Sequence, residues 1–342
     1  MVEIARDAGK PLVIHNRDAF KDTIAILKEA GDWKRGGVFH CFAGIAEEAA
    51  EVIRLGFYVS FAGNLTYPKS KLPIAAENIP IERTLVETDC PFLAPQSHRG
   101  RRNEPAYVRE TAEKLAEIKG LSLEDVARIT SYNVYLLFGA GDKPEPKLVY
   151  PIRDSLYINL TNRCSCDCDF CPRNANPVVK GHSLKLETEP EFDDVVKAVN
   201  DMPGEFRELV FCGFGEPTLR FDLVKQIAKH FRSRFTRIRL DTNGSGNLIN
   251  ERDISGEIEA LFDAVSVSLN TSDPDEYLRI NRPQYGDEAF PAMLEFIRSC
   301  AARDLEVTAS IVGFPGADIT GTSKLAKELG ADFRVRKYND LG

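Results

Sequence analysis

No run of about 18 consecutive apolar residues occurs in this 342-residue chain, which excludes a membrane-spanning helix. The first residues, MVEIARDAGKPLVIH, lack a basic segment followed by an apolar core, so no signal peptide is read there. Without an export signal the cysteines are expected to be reduced thiols, and the expected location is cytoplasmic. Neither charge sign dominates. The chain has 44 Lys and Arg against 52 Asp and Glu, a net charge of -8. That excludes a global pull toward nucleic acid or an anionic membrane and leaves only local basic stretches to bind phosphate. There is no short internal repeat and no low-complexity tract. No H-x-H pair occurs either: the five histidines are His15, His40, His98, His182 and His230.

What is present reads as a soluble globular protein, 43% hydrophobic and 28% charged, long enough for two domains. The segment GAGDKPEPK, Gly139 to Lys147, is rich in Gly, Pro and charge and reads as a linker. The expected division is a first domain over 1–140, a linker over 141–149 and a second domain over 150–342. On both sides short apolar runs alternate with amphipathic stretches, the pattern of βα units on a parallel sheet, so the fold class is α/β. The first half gives strands at 11–15, 36–42, 57–63 and 83–89. The second gives strands at 155–161, 208–214, 237–244, 264–270, 306–314 and 333–339. Six units of this kind suggest an incomplete (β/α)6 barrel.

Half of the eight cysteines lie in the run CSCDCDFC. Cys164, Cys168 and Cys171 have C-x3-C-x2-C spacing, with Phe170 before the last. Three thiolates at this spacing can hold three irons of a cubane cluster and leave the fourth iron open for chemistry. A structural zinc on Cys164, Cys166, Cys168 and Cys171 is the alternative, although zinc sites usually pair cysteines on two separate turns. Cys41, Cys90, Cys212 and Cys300 are single and are expected to be buried small residues.

His15, His40 and Asp89 close three of the first four strands, the rim where barrel enzymes collect metal and catalytic groups. Two imidazoles and a carboxylate suit a divalent metal. PLVIHNRDAF, VFHCFAG, YVSFAGNLTYP, VETDCPFLAP and HRGRRNEPAYV resemble, in order, motifs of the TatD family of metal-dependent hydrolases, which includes magnesium-dependent deoxyribonucleases. The resemblance implies that His15, His40 and Asp89 are metal ligands and that Asp89 also orients the attacking water. Arg99, Arg101, Arg102 and Asn103 become candidate phosphate contacts, and nucleic acid a candidate partner. The family's barrel has eight strands, and its H-x-H pair and bridging glutamate lie on strands that have no counterpart here. The first domain is therefore expected to be half of a TIM-like (β/α)8 barrel, a fragment whose other half an upstream segment supplies.

The cysteine triplet resembles the signature of the radical S-adenosylmethionine (SAM) enzymes, and three further segments extend the resemblance. GFGEPTL, with Gly213, Gly215, Glu216 and Pro217, resembles the motif that meets the methionine ammonium of SAM. Phe214 replaces the usual second glycine. DTNG, with Thr242 and Asn243, resembles the turn near the adenosine, and GFPG, Gly313 to Gly316, resembles the turn beside the adenine. Ser268 and Asn270 end a strand where the family holds SAM's ribose or carboxylate. The implied cofactors are a 4Fe–4S cluster and SAM, with an electron donor such as a flavodoxin or ferredoxin. The implied reaction is reductive cleavage of SAM to a 5'-deoxyadenosyl radical. The joined pair resembles the TatD-associated radical SAM proteins. Alternatives are a magnesium-dependent nuclease with the second half accessory, nucleoside modification, and a scaffold that carries a cluster without chemistry.

Overall fold

The structure is a computed structural model that describes residues 2–31, 36–171 and 178–337. The chain divides into two compact units, Met1–Pro144 and Glu145–Gly342.

The first unit is built on an open parallel sheet in the order β1 (Leu12–His15), β2 (Gly37–His40), β3 (Tyr58–Phe61), β4 (Thr84–Val86). These are the four strands read from the sequence, each shorter than expected, from Leu12–His15 by a single residue to Thr84–Val86 by the most. Alternation along each strand sorts the side chains between two faces. Phe39, Val59 and Phe61 pack under Ile24, Leu27, Val52, Leu115 and Ile129, which come from the covering helices. On the other face Val38, Tyr58 and Leu85 pack with Leu137. The edge residue Val13 is 61% exposed. Two helices close the unit, Val108–Lys119 and Leu123–Phe138. Gly120 and Gly139 end them with φ of 60° and 67°, the left-handed geometry that glycine adopts without a Cβ penalty. Asn133 then ties the second helix to the sheet, its Nδ2 donating to Ile81 O and Thr84 O at 2.8 Å.

The second unit holds a seven-stranded sheet, in sequence numbering β13-β12-β11-β10-β9-β6-β5. Its strands are β5 (Val149–Ile152), β6 (Ser155–Ile158), β9 (Glu208–Phe211), β10 (Arg237–Thr242), β11 (Ala264–Ser268), β12 (Glu306–Gly313) and β13 (Asp332–Lys337). The hairpin β7 (Val178–Val179) and β8 (His182–Ser183) stands apart. All six expected strands are present; Tyr338 and Asn339, expected in the last, lie outside the described residues. β5 was not expected. It takes up part of the linker and pairs antiparallel with β6 at the edge of the sheet. Pro151 argues against a strand in the sequence, but an edge strand tolerates a residue without an N–H. Leu156, Ile158, Leu209, Phe211, Ile238, Leu240, Val265 and Val267 form one core with Val224, Ile227, Phe296 and Ile297 from the covering helices. The alternate residues are polar, as in Arg237, Arg239 and Asp241 between Ile238 and Leu240.

Candidate functional site

Parallel pairing in register aligns the strand ends of the first unit, and His15 sits opposite His40. His15 Nδ1 lies 3.0 Å from His40 Nε2, and His40 Nδ1 lies 3.1 Å from Glu87 Oε1. Among the described residues, one group of three metal-type donors falls within 4.8 Å: His40, Glu87 and Asp89. His15 joins that group through His40. Glu87 was missed in the sequence. It lies directly after β4, in the same turn as Asp89. Asp89 has φ of 55°, a left-handed conformation that Asp accepts better than most residues. His15, His40 and Asp89 line an open cleft of about 1110 Å³ together with Asn64 and Phe92. Burial pushes the adjacent Cys41 thiol up to about 12, with Asp89 and Glu87 adding to it. One imidazole and two carboxylates fit a hard divalent ion.

Two expectations for the following loop are corrected. Asn103 is buried, and its Nδ2 donates to Thr88 O at 2.7 Å and Phe92 O at 2.5 Å. Its Oδ1 accepts from Glu104 N, so Asn103 braces the turn after β4 rather than facing a substrate. Cys90 is exposed, not buried. Arg99 remains exposed with its guanidinium 4.5 Å from the Tyr67 ring centroid, and Arg101 and Arg102 are exposed.

In the second unit the loop after β6 carries the cysteines, and residues 280–284 hold it in place. Asp167 N donates to Asn281 O at 3.0 Å, Asp169 N to Ile280 O at 2.9 Å, and Gln284 N to Ser165 O at 2.8 Å. Arg282 pairs with Asp169 at 2.9 Å. Cys164, Cys168 and Cys171 are half-buried, whereas Cys166 is buried. Cys164, Cys166, Cys168 and Cys171 all lie within this one loop, and three thiolates of such a loop suit the irons of a cubane. Phe170 stacks on Phe314 of the GFPG turn, with centroids 6.0 Å apart.

The glycine-rich turn after β9 packs directly against this loop. A Cβ at Gly215 would collide with the carbonyls of Thr161 and Arg163, and one at Gly213 with Asn159. Close approach is therefore required here by the chain itself. Asn159 Oδ1 accepts from Phe214 N at 2.9 Å, and Glu216 N donates to Arg163 O at 2.8 Å. Pro217 opens the short 3-10 turn Pro217–Arg220. Glu216 is buried. Its Oε1 accepts from Thr218 N, Thr218 Oγ1 and Thr242 Oγ1, and its Oε2 from Asn243 N at 2.7 Å. Burial raises the Glu216 carboxyl above its ordinary value, and bonds from Asn243, Thr218 and Thr242 only partly offset this. Glu216 and Thr242 were expected against SAM. Instead, Glu216's carboxylate oxygens accept bonds from the chain itself, and it bolts the GFGEP turn to the DTNG turn. Asn243 faces the cysteines, with Nδ2 2.9 Å from Ser165 Oγ, 3.5 Å from Cys166 Sγ and 3.7 Å from Cys164 Sγ.

Ser268 and Asn270 were also expected on the cofactor. Arg336, which the sequence reading missed, donates to both, at 3.1 Å to Ser268 Oγ and 3.3 Å to Asn270 Oδ1. Asn270 holds a φ of 64° and donates to Asn281 Oδ1 at 2.8 Å, and Cys168 Sγ lies 3.3 Å from that same oxygen.

Comparison with known proteins agrees with this division. Residues 1–139 match the model of TatD related DNases, and residues 158–328 match that of the radical SAM superfamily. The uncharacterized metal-dependent hydrolase YabD of Bacillus subtilis (strain 168) is 46% identical over 138 residues, covering 40% of this chain and 54% of that protein. The crystal structure of YJJV, a TatD homolog from Escherichia coli K12, aligns at 27% identity and a TM-score of 0.40, over 41% of this chain and 54% of that one. Streptococcus suis SuiB bound to S-adenosylmethionine aligns at 16% identity and a TM-score of 0.40, over 66% and 44%. The chain spans about half the length of the curated relatives it matches.

Proposed function

We propose, for a chain that belongs to the radical SAM superfamily and carries a TatD-type domain ahead of it, that the second unit is a SAM-cleaving enzyme. Cys164, Cys168 and Cys171 would hold a 4Fe–4S cluster, with SAM seated beside Gly213–Pro217. When bound and reduced, the cluster supplies the one electron that cleaves SAM to methionine and a 5'-deoxyadenosyl radical. The protein's own contribution is placement. The segment Ile280–Gln284 fixes the cysteine loop, and Glu216 locks the GFGEP turn to the DTNG turn. Asn243 points its amide at the loop, and Phe314 backs Phe170. The observation that carries the reading is this convergence of three strand ends on one loop, through Glu216 and Asn243. A bare cluster carrier has no need of it. An electron donor such as a flavodoxin or ferredoxin would supply the electron.

Iron content and absorbance of anaerobically reconstituted Cys→Ala variants test the ligand set. Loss in Cys164→Ala, Cys168→Ala and Cys171→Ala with retention in Cys166→Ala is expected. Full iron in Cys168→Ala, or equal loss in Cys166→Ala, would overturn it.

For the first unit the reading is the C-terminal half of a TatD-type barrel, binding one divalent ion through His40, Glu87 and Asp89. His15 would hold His40 in place, and Asp89 would orient a water. Nucleic acid ends are the substrate class.

A further inference from the structure

The face of the second sheet opposite its helices is polar, and its charges are almost all balanced within it. Arg239 pairs with Asp241 and, at 3.0 Å, with Glu208. Arg237 pairs with Glu208 at 3.0 Å and with Glu306 at 2.6 Å. Two arginines of β13 on this face have no ion pair among the described residues: Arg334 is exposed, whereas Arg336 is partly buried. Among the described residues the hydrogen bonds of Arg336 go from Nη2 to two neutral acceptors, Ser268 and Asn270, and its Nε is buried without a partner. Burial pushes this guanidinium down, the neighbouring Arg334 adds to that, and the attraction of Asp241 does not offset it. A partly buried cation with no carboxylate paired to it among the described residues is costly to keep. A guanidinium fork is matched by a carboxylate or phosphate, which would take the orphaned Nε–H. The position is also next to the proposed chemistry. Three hydrogen bonds in series join Arg336 to Asn270 at 3.3 Å, Asn270 to Asn281 at 2.8 Å, and Asn281 to Cys168 at 3.3 Å.

We propose that Arg336 is the receptor for an anionic group, carboxylate or phosphate, on the substrate that meets the deoxyadenosyl radical. This rests on the cluster and SAM reading given above. Ser268 and Asn270 are then positioning residues that aim the guanidinium, and neutral compounds without an acidic substituent are excluded as good substrates.

The test is thermal unfolding of the full chain, reconstituted with its cluster, in rising inorganic phosphate, with and without saturating SAM. A ligand that binds only the folded state raises the midpoint. The expected result is a phosphate-dependent rise in both series. Arg336→Gln should abolish it, Arg336→Lys should weaken phosphate binding by about tenfold, and Arg334→Gln should leave it intact. SAM binding by equilibrium dialysis should be unchanged in Arg336→Lys. A rise that disappears at saturating SAM would assign Arg336 to SAM's own carboxylate and overturn the proposal. So would a rise that is absent in the wild type or equal in all variants. An Arg336-dependent rise in a protein that makes no deoxyadenosine would sink the SAM-cleavage reading and leave the anion receptor. Deoxyadenosine without such a rise would sink the receptor alone.

Discussion

At the scale of single residues, several side chains that carry a motif turn out to bind the protein rather than a ligand. Glu216 accepts four hydrogen bonds within the chain, so removing it leaves buried donors on Thr218, Thr242 and Asn243. Each orphaned group costs about 1–3 kcal/mol. Glu216→Ala is expected to lower the unfolding free energy by roughly 3 kcal/mol or more, read from urea denaturation, and to weaken SAM binding as well. An unchanged urea midpoint would contradict the bracing role. The loop after β4 divides the same way. Asn103→Ala loses the bonds to Thr88 O and Phe92 O and should cost about 1–3 kcal/mol. Arg99→Ala, at an exposed site, should stay within roughly 0.5 kcal/mol. Equal losses in the two variants would show that Asn103 is not a brace.

At the scale of elements, neighbouring strands of the second sheet are clasped by charge. Glu208 on β9 accepts from Ser155 on β6 at 2.8 Å and pairs with Arg237 and Arg239 on β10 at 3.0 Å. Burial alone would raise its carboxyl, but the Arg239, Ser155 and Arg237 contacts prevail and hold it below its ordinary value of 4.5. A carboxyl lowered on folding stabilises the folded state above its unfolded value, and that stability is lost as the pH falls through the folded value. The second unit should therefore weaken below about pH 4.5, and Glu208→Gln should flatten that dependence in melts recorded across pH 3 to 7. A variant with the wild-type slope would remove Glu208 from the account. The parallel strands were legible in the sequence because each has a sharp alternation or an unbroken apolar run with a turn at its end. β5 was hidden by Pro151, and β7 and β8 by their two-residue length. The strand-end positions of His15 and His40 were legible for the same reason, whereas Asp89 lies in the turn beyond Val86, the last residue of β4. Glu87, Asn281 and Arg336 were not, because their roles depend on which strand or helix end comes to lie beside them. That information is long-range and leaves no local pattern.

At the scale of the whole molecule, two units with separate cores carry two kinds of candidate chemistry. The first has the donors for one divalent ion, and no H-x-H pair occurs in the chain to hold a second. Two-metal phosphodiester hydrolysis places ions on both the attacking and leaving oxygens. With donors for one ion, this chain is expected to show little magnesium-dependent nuclease activity. Robust cleavage abolished by Asp89→Ala would show that one ion suffices. The central claim concerns the second unit, and the most direct measurement is chromatography of SAM incubated with the reconstituted, chemically reduced protein. The account predicts 5'-deoxyadenosine and methionine in equal amounts, formed slowly without substrate and not at all in Cys168→Ala. A fully loaded, reduced cluster that yields no deoxyadenosine would contradict it.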